Sequence, residues 1–276
     1  MELGLNGATT LKADLATDIA VAGKAGFDFV EIWAAKLMGY LEKGGLRALR
    51  RDLRRAGVRP VTLNSVERVT FNDPSGHIRM LEDFQRFCRV AEAIGCETVI
   101  VVPSPRPKGV TAKDIERESV RILRELSGMA KPYGVRLAYE FLGFADCTVN
   151  TLAQCAAIVD KVARANVGLV LDTFHFFAGG SSVASIRQVN PKKIFVVHVN
   201  DVERVPRRKM HDALRLFPGK GIIPLTSILR ALKATGYTDK FSVEIFRPQY
   251  WNRPALRVAR DARAAALGAL RKAGIN

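Results

Sequence analysis

VGLVLDTFHFFAGG at residues 167–180 and KKIFVVHVND at residues 192–201 are the two stretches that indicate the fold most clearly. Each stretch contains a nearly continuous run of Val, Ile, Leu or Phe, as a strand buried on both faces of a sheet requires. Each run ends on charged side chains. Strands covered on both faces occur mainly in parallel sheets whose connections are helices. The two stretches therefore predict an α/β protein.

Eight such apolar segments alternate with amphipathic stretches. The predicted strands are Glu2–Asn6, Phe29–Trp33, Val61–Ser65, Thr98–Pro103, Arg136–Phe141, Val167–Asp172, Ile194–Asn200 and Phe241–Phe246. The predicted helices are Asp14–Ala25, Leu46–Ala56, Gly76–Ile94, Asp114–Tyr133, Thr151–Ala165, Ser182–Val189, Leu225–Thr235 and Pro254–Ala273. The glycine fingerprint of a doubly wound sheet is absent after the first strand. The pattern predicts one (β/α)₈ barrel, a TIM barrel that forms a single domain over residues 1–276.

The composition is that of a globular chain with a strong positive charge. Among 276 residues, 43 Lys and Arg stand against 27 Asp and Glu, which gives a net charge of +16. Four cysteines without zinc-ribbon spacing are expected to be free thiols: Cys88, Cys96, Cys147 and Cys155. The chain shows neither a signal peptide nor a membrane span. We expect a cytoplasmic protein.

The positive charge raises the question of nucleic-acid binding, because Lys and Arg neutralise phosphates. Many of the arginines recur at helical spacing, as in residues 47–55 and 253–263, between Leu and Ala positions. This spacing is typical of solvated helix faces. No aromatic side chains interleave with the arginines to stack bases. A nucleic-acid partner is therefore not expected.

Four ionisable residues lie at the ends of consecutive predicted strands, in the segments LAYEF, LVLD, FVVH and FSVE. They are Glu140, Asp172, His198 and Glu244. Active sites of (β/α)₈ barrels form at this end of the strands. Burying a charge in an apolar strand is costly unless it is paired or binds a metal. Three carboxylates and an imidazole predict a site for Mn²⁺, Zn²⁺, Co²⁺ or Mg²⁺.

Five phrases resemble the xylose-isomerase-like barrels, a family of sugar isomerases, epimerases and dehydratases that also includes endonuclease IV. The phrases are YEF at 139–141, LDTFH at 171–175, HVND at 198–201, PGKG at 218–221 and SVEIFRP at 242–248. Longer stretches, LNGATTL at 5–11 and EIFRPQYW at 244–251, resemble the bacterial members that isomerise keto-inositols. The resemblance extends over almost the whole chain.

The resemblance implies that the four residues hold one divalent metal, and that Glu140 and Glu244 are acid–base groups on opposite faces of the substrate. The implied reaction moves a carbonyl between adjacent carbons of a keto-inositol through an enediol. The implied partner is a small polyol or keto-sugar. Arg215, which precedes FPGKG, resembles a substrate-contacting arginine of the family. A surface arginine is the alternative for this residue.

Three further residues are predicted to contact substrate from their positions in the barrel. His175, three residues after Asp172, is expected to enter the mouth and donate to a substrate oxygen, unless it only packs within its loop. Trp33 and Asn64 end the second and third strands. They are expected to offer an apolar wall and a polar contact to a ring-shaped polyol. Closing the top of the barrel is the alternative role for both.

The chain departs from the family pattern at three positions. Gly7 stands where the family has an acidic residue, and Phe144 and Phe177 stand where it has histidines. The metal set is unaffected by these changes. The pocket is less polar than the pattern, so another keto-sugar is a second hypothesis for the substrate.

Alternative functions keep the barrel but change the chemistry. An epimerase or a dehydratase begins with the same proton abstraction next to a carbonyl. An endonuclease of the endonuclease IV type needs extra histidines, but the third and fourth strands end VTLNSVE and VIVVPSP, and the chain has only four histidines. A binding protein without activity would keep buried carboxylates that cost stability unless a metal neutralises them. We therefore favour a metal-dependent isomerase.

Overall fold

The structure, a computed structural model, describes all residues from Met1 to Asn276. Its strands are β1 (Glu2–Asn6), β2 (Phe29–Trp33), β3 (Arg59–Val66), β4 (Thr98–Val101), β5 (Arg136–Glu140), β6 (Val167–Asp172), β7 (Ile194–His198), β8 (Asp201–Val202), β9 (Arg215–Leu216) and β10 (Lys240–Val243). Eight of them close into a barrel in the order β1, β10, β7, β6, β5, β4, β3, β2. Every pairing within the barrel is parallel. The predicted (β/α)₈ barrel is confirmed.

Helices connect consecutive barrel strands and cover the outside of the barrel. They are α1 (Leu15–Ala25), α2 (Ala34–Ala56), α3 (Pro74–Ile94), α4 (Ala112–Ala130), α5 (Leu152–Val162), α6 (Thr173–Ala178), α7 (Val183–Ile186), α8 (Leu225–Ala234), α9 (Pro248–Trp251) and α10 (Ala255–Lys272). None of these helices combines the length and the apolar composition that a membrane span requires.

Several boundaries differ from the sequence prediction. Helix α2 begins directly after β2 rather than at Leu46. Its first half was not predicted, because a kink at Gly45, whose φ is 67°, interrupts the helical pattern. The short helix α6 and the antiparallel β8–β9 hairpin were not predicted. The predicted helix Ser182–Val189 is reduced to α7. These short elements form where the chain packs against the end of the barrel, which local periodicity does not reveal.

The main core of 71 buried residues packs the barrel against its helices. A second cluster of six contributes to the barrel interior: Ile100, Val102, Ala138, Val170, Phe195 and Val196. The predicted strand Thr98–Pro103 was too long, because apolar residues such as Val102 continue past the end of β4. The interior beneath the mouth is therefore apolar along β4 to β7.

The predicted exposure of the arginines in α2 and the predicted free thiols of the cysteines are confirmed. All five arginines of the second half of α2 are exposed, while Leu49 and Leu53 between them are buried. All four cysteines are buried and free. The arginines thus cover the outside of the barrel, away from the strands.

Gly4 is the barrel position with the least room for a side chain. A Cβ there would lie 2.0 Å from Cε2 of Phe29, its register neighbour on β2. We expect Gly4→Ala to lower the free energy of unfolding by about 1–3 kcal/mol, the usual cost of overpacking. Gly128 in α4 has no heavy atom within 4 Å of such a Cβ. Gly128→Ala is expected to stabilise the protein by about 0.5–1 kcal/mol.

Urea unfolding of both variants measures the two effects. The same chemical change then gives opposite signs, because one glycine lies against an aromatic ring and the other faces open space. A Gly4→Ala variant as stable as the unaltered protein would show that Phe29 can move aside.

Candidate active site

Four side chains meet in the mouth of the barrel and form the four-residue cluster: Glu140, Asp172, His198 and Glu244. Three of them end β5, β6 and β7, and Glu244 directly follows β10. These strands are neighbours in the barrel, so their carboxyl ends lie at a similar height. One nitrogen or oxygen atom from each residue lies within 4.8 Å of the other three, and all four residues are buried.

His198 lies between the carboxylates. Its Nδ1 is 3.0 Å from Glu140 Oε1, 3.2 Å from Glu244 Oε2 and 3.6 Å from Asp172 Oδ2. Burial alone would lower the pKa of His198, but the carboxylates of Glu244, Glu31 and Glu140 raise this pKa well above its usual value. The carboxylates therefore favour the protonated form of His198, whose charge offsets part of theirs.

Arg215 is the second positive group in the mouth. Its side chain is only 1% exposed, and Nη1 donates to Asp172 Oδ2 at 2.7 Å and to Glu244 Oε2 at 3.0 Å. The Nε atom donates to Asp212 Oδ1 at 2.9 Å. The β8–β9 hairpin places Arg215 in the mouth, so the alternative of a surface arginine is wrong.

The two glutamates of the cluster differ in their surroundings. Glu244 Oε1 accepts hydrogen bonds from Asn6 Nδ2 at 3.1 Å and Asn64 Nδ2 at 2.8 Å, and its other oxygen accepts from Arg215. Glu140 is hydrogen bonded to His198 alone. Burial raises the pKa of Glu140 to about 7. Glu140 is thus the less restrained of the two carboxyls.

Asp172 is held as an anion. Its Oδ1 accepts from the backbone N–H of His175 at 2.8 Å and caps α6, while Oδ2 accepts from Asn200 Nδ2 at 2.8 Å and from Arg215. Burial would raise the pKa of Asp172, but Arg215 and His198 hold this pKa well below its usual value.

Glu31 is a buried carboxylate that the sequence prediction missed. It lies within the apolar strand FVEIW, and its carboxylate oxygens approach Nε2 of His198 at 3.2 Å. A charge inside an apolar strand is the signal that identified the four-residue cluster, so the same criterion would have found Glu31. Asn6 and Asn200, which hold Glu244 and Asp172, carry no comparable sequence signal.

A cavity of about 340 Å³ opens above the cluster. Glu140 and Glu244 line it, and so do all four residues predicted to contact substrate: Trp33, Asn64, His175 and Arg215. Trp33 packs edge-on against Phe246, with ring centroids 5.3 Å apart. Trp33 thereby forms an aromatic wall, while Asn64 lines the cavity and donates a hydrogen bond through Nδ2 to Glu244.

His175 presents an unusual hydrogen-bonding arrangement. Its Nδ1 accepts from the backbone N–H of Gly143 at 3.1 Å, while Nε2 lies 3.0 Å from Nη2 of Arg215. Burial lowers the pKa of His175, so the ring is neutral and carries one N–H. With Nδ1 accepting, that N–H is on Nε2 and faces a guanidinium, which can only donate. Two donors therefore converge at one edge of the cavity.

The donor set of the four-residue cluster suits a divalent cation. Three carboxylates and one imidazole, without a thiolate, match metals that prefer oxygen and nitrogen ligands. His198 and Arg215 supply the compensating positive charge in this structure. A cation among the same carboxylates would take over that role. The cluster is therefore a site that could hold a metal.

A sequence profile of the xylose isomerase-like TIM barrel family matches residues 19–271. The chain belongs to this family. Among curated relatives, the inosose isomerase of Bacillus licheniformis is 38% identical over 265 residues, which cover 95% of each chain. The inosose isomerase of Bacillus subtilis is 39% identical over 253 residues, or 91% of each chain. A 1.8 Å crystal structure of the IOLI protein with a bound zinc atom superposes with a TM-score of 0.96 at 38% identity and covers 99% of each chain.

The three residues predicted to depart from the family pattern have definite surroundings. A Cβ on Gly7 would lie 3.0 Å from Asp18 Oδ2 and 3.0 Å from Trp33 Cβ, so a side chain has little room there. Phe144 lines the cavity and packs edge-on against His175 at 5.2 Å. Phe177 lies beneath the guanidinium of Arg207 at 5.1 Å. Of these three, only Phe144 makes the cavity wall itself less polar.

Proposed function

We propose that this protein is a divalent-metal-dependent isomerase that converts 2-keto-myo-inositol to 1-keto-D-chiro-inositol, with one barrel domain over residues 1–276. The observation that carries the proposal is the four-residue cluster, which gathers three carboxylates and an imidazole beneath the cavity. The inosose isomerases that share 38% and 39% of their residues with this chain support the substrate class.

The metal would be held by Glu140, Asp172, His198 and Glu244. Zn²⁺ and Mn²⁺ are the preferred ions, with Co²⁺ and Mg²⁺ as alternatives, and the zinc atom of the IOLI structure supports this choice. When bound, the cation supplies positive charge to the carbonyl oxygen and the neighbouring hydroxyl of the substrate.

Glu140 and Glu244 carry the proton transfers. One carboxylate removes the proton from the carbon next to the carbonyl, and the released electron pair forms the C=C bond of an enediol as the carbonyl oxygen gains a proton. The other carboxyl gives a proton to the former carbonyl carbon, while the adjacent hydroxyl loses its proton and becomes the new carbonyl. The proton lost by that hydroxyl replaces the one gained by the carbonyl oxygen, and the proton removed from carbon replaces the one given by the second carboxyl, so atoms and electrons balance without an external oxidant.

The remaining contacts orient the ring of the substrate. Nε2–H of His175 and Nη2 of Arg215 converge 3.0 Å apart, and a substrate oxygen beside them would accept from both. Trp33 offers an apolar face to the ring, and Asn64 a polar contact at the cavity wall. The positions of the four residues around the cavity support these roles.

The test is an NMR time course in D₂O with 2-keto-myo-inositol, with and without added Zn²⁺ or Mn²⁺. We expect metal-dependent appearance of a second keto-inositol, with deuterium incorporated next to the carbonyl. A dehydratase would instead release an unsaturated product, and an epimerase would leave the carbonyl in place. Absence of both exchange and product would reject the keto-inositol substrate.

The apparent affinity for the metal is expected to rise with pH. A cation must displace the proton of Glu140 below its pKa of about 7 and that of His198, whose pKa lies well above its usual value. We expect binding to release about two protons at pH 5.5 and about one at pH 8. Calorimetry in two buffers of different ionisation enthalpy measures this number. Equal proton release at both pH values would contradict the role of Glu140 as a ligand.

A further inference from the structure

Glu31 on β2 lies beside the four-residue cluster and does not line the cavity. Its side chain is fully buried, and in register it is flanked by Asn6 on β1 and Thr62 on β3. Both neighbours donate to its carboxylate, Asn6 at 3.2 Å and Thr62 at 2.5 Å. Both carboxylate oxygens of Glu31 are therefore held in place by hydrogen-bond donors.

His198 connects this carboxylate to the cluster. Nδ1 of the ring faces the carboxylates of Glu140, Glu244 and Asp172, whereas Nε2 lies 3.2 Å from both carboxylate oxygens of Glu31. The two nitrogens lie on different edges of the ring, so Glu31 is outside the group that could hold the metal. A metal-binding imidazole needs a free lone pair on one nitrogen and an acceptor for the N–H on the other.

We propose that Glu31 is a positioning residue that keeps the proton of His198 on Nε2, presents Nδ1 to the metal and makes the site favour metals that bind imidazole strongly. This inference rests on the proposed metal site. Glu31 also reaches a second ligand, because the amide of Asn6 donates to both Glu31 and Glu244. One buried carboxylate thus helps to orient two of the four groups.

The symmetric approach of the two oxygens makes Glu31→Gln a sharp test. Whichever way the amide is turned, one of the two atoms beside Nε2 becomes an NH₂ group, so the amide holds the proton on Nε2 less strongly than the carboxylate does. The tautomer with its proton on Nδ1, which cannot bind a metal through that nitrogen, then competes. Glu31→Asp keeps the negative charge but is one methylene shorter, so it should perturb His198 less than Glu31→Gln does.

The experiment is a competition titration of Zn²⁺ and Mn²⁺ against a chromophoric chelator, with the metal-free form of each full-length variant checked for folding by circular dichroism. We expect Glu31→Gln to lower the affinity for Zn²⁺ by about 10–100-fold, the usual effect of removing such a partner. Mn²⁺ relies more on carboxylates and should lose less. The matched control is Asp18→Asn, another buried carboxylate, which pairs with Lys36 at 2.6 Å and does not contact the cluster. Its affinities should be unchanged.

The outcomes separate this inference from the proposed function. Wild-type affinity for Zn²⁺ in Glu31→Gln, or equal losses for Zn²⁺ and Mn²⁺, would overturn the role of Glu31 while leaving the metal site intact. A wild-type protein that binds neither metal would instead reject the proposed function. If Glu31→Gln does not fold, Glu31→Asp takes its place, and this variant should lose affinity for Zn²⁺ but not for Mn²⁺. An undiminished Zn²⁺ affinity in that variant would also overturn the proposal.

Discussion

Replacing either Glu140 or Glu244 with Gln is expected to lower the turnover of the metal-loaded enzyme by about 10²–10⁴-fold, the usual contribution of a general acid or base. The amide keeps the size of each side chain but cannot accept a proton from carbon. Glu140→Gln is expected to retain the metal better than Glu244→Gln does, because the substitution disturbs one hydrogen-bond partner at Glu140 but three at Glu244. Turnover and bound metal are measured on the same samples.

Glu203→Gln is the matched control for these two variants. Glu203 follows β8 at the rim, is paired with Arg247 at 2.6 Å and does not line the cavity. Its turnover should match that of the unaltered protein. If either Glu140→Gln or Glu244→Gln turned over normally with metal bound, the two-carboxylate mechanism would be wrong, and a single glutamate would have to carry the proton between both carbons.

Arg215→Met is expected to lower the free energy of unfolding of the metal-free protein by about 3–5 kcal/mol, the range found when one partner of a buried ion pair is removed. The variant leaves Asp172 and Glu244 with His198 as their only nearby cation. Methionine keeps much of the apolar length of the side chain between Phe174 and Phe246. The loss should therefore reflect charge rather than packing.

A divalent cation should restore much of this loss, since it supplies positive charge to the same two carboxylates. We expect Zn²⁺ to raise the stability of Arg215→Met more than that of the unaltered protein, measured by urea unfolding with and without a chelator. Arg247→Met is the control, because its partner Glu203 is 38% exposed and such pairs contribute about 0–1 kcal/mol. Equal losses in the two variants would show that Arg215 does not neutralise the cluster.

Much of the barrel could be predicted from local patterns. A strand buried on both faces must be apolar along its length, and a charge that interrupts it must have a use; both features can be recognised one segment at a time. This is why the eight strands and the positions of Glu140, Asp172, His198 and Glu244 were found. Helix α2 was predicted too short, because Gly45 breaks its periodicity locally while the chain resumes the helix.

Other features depend on contacts between distant segments. The sequence around Arg215 does not indicate whether its side chain is exposed or buried. Only the β8–β9 hairpin brings it to Asp172, 43 residues away. The convergence of His175 and Arg215 as two donors likewise exists only in the folded chain. Glu31 had a sequence signal, but its contact with His198 spans 167 residues.

The closed barrel, the exposed arginines and the four residues of the cluster could all be predicted from the amino-acid sequence. These features follow from hydrophobic burial and from the cost of placing charge in an apolar strand, which depend on residue type and spacing. The folded structure was needed to show which carboxylate is restrained, which arginine neutralises the cluster and which carboxylate holds His198. Hydrogen bonds and ion pairs depend on distances of about 3 Å between side chains remote in sequence, and spacing along the chain does not encode such distances.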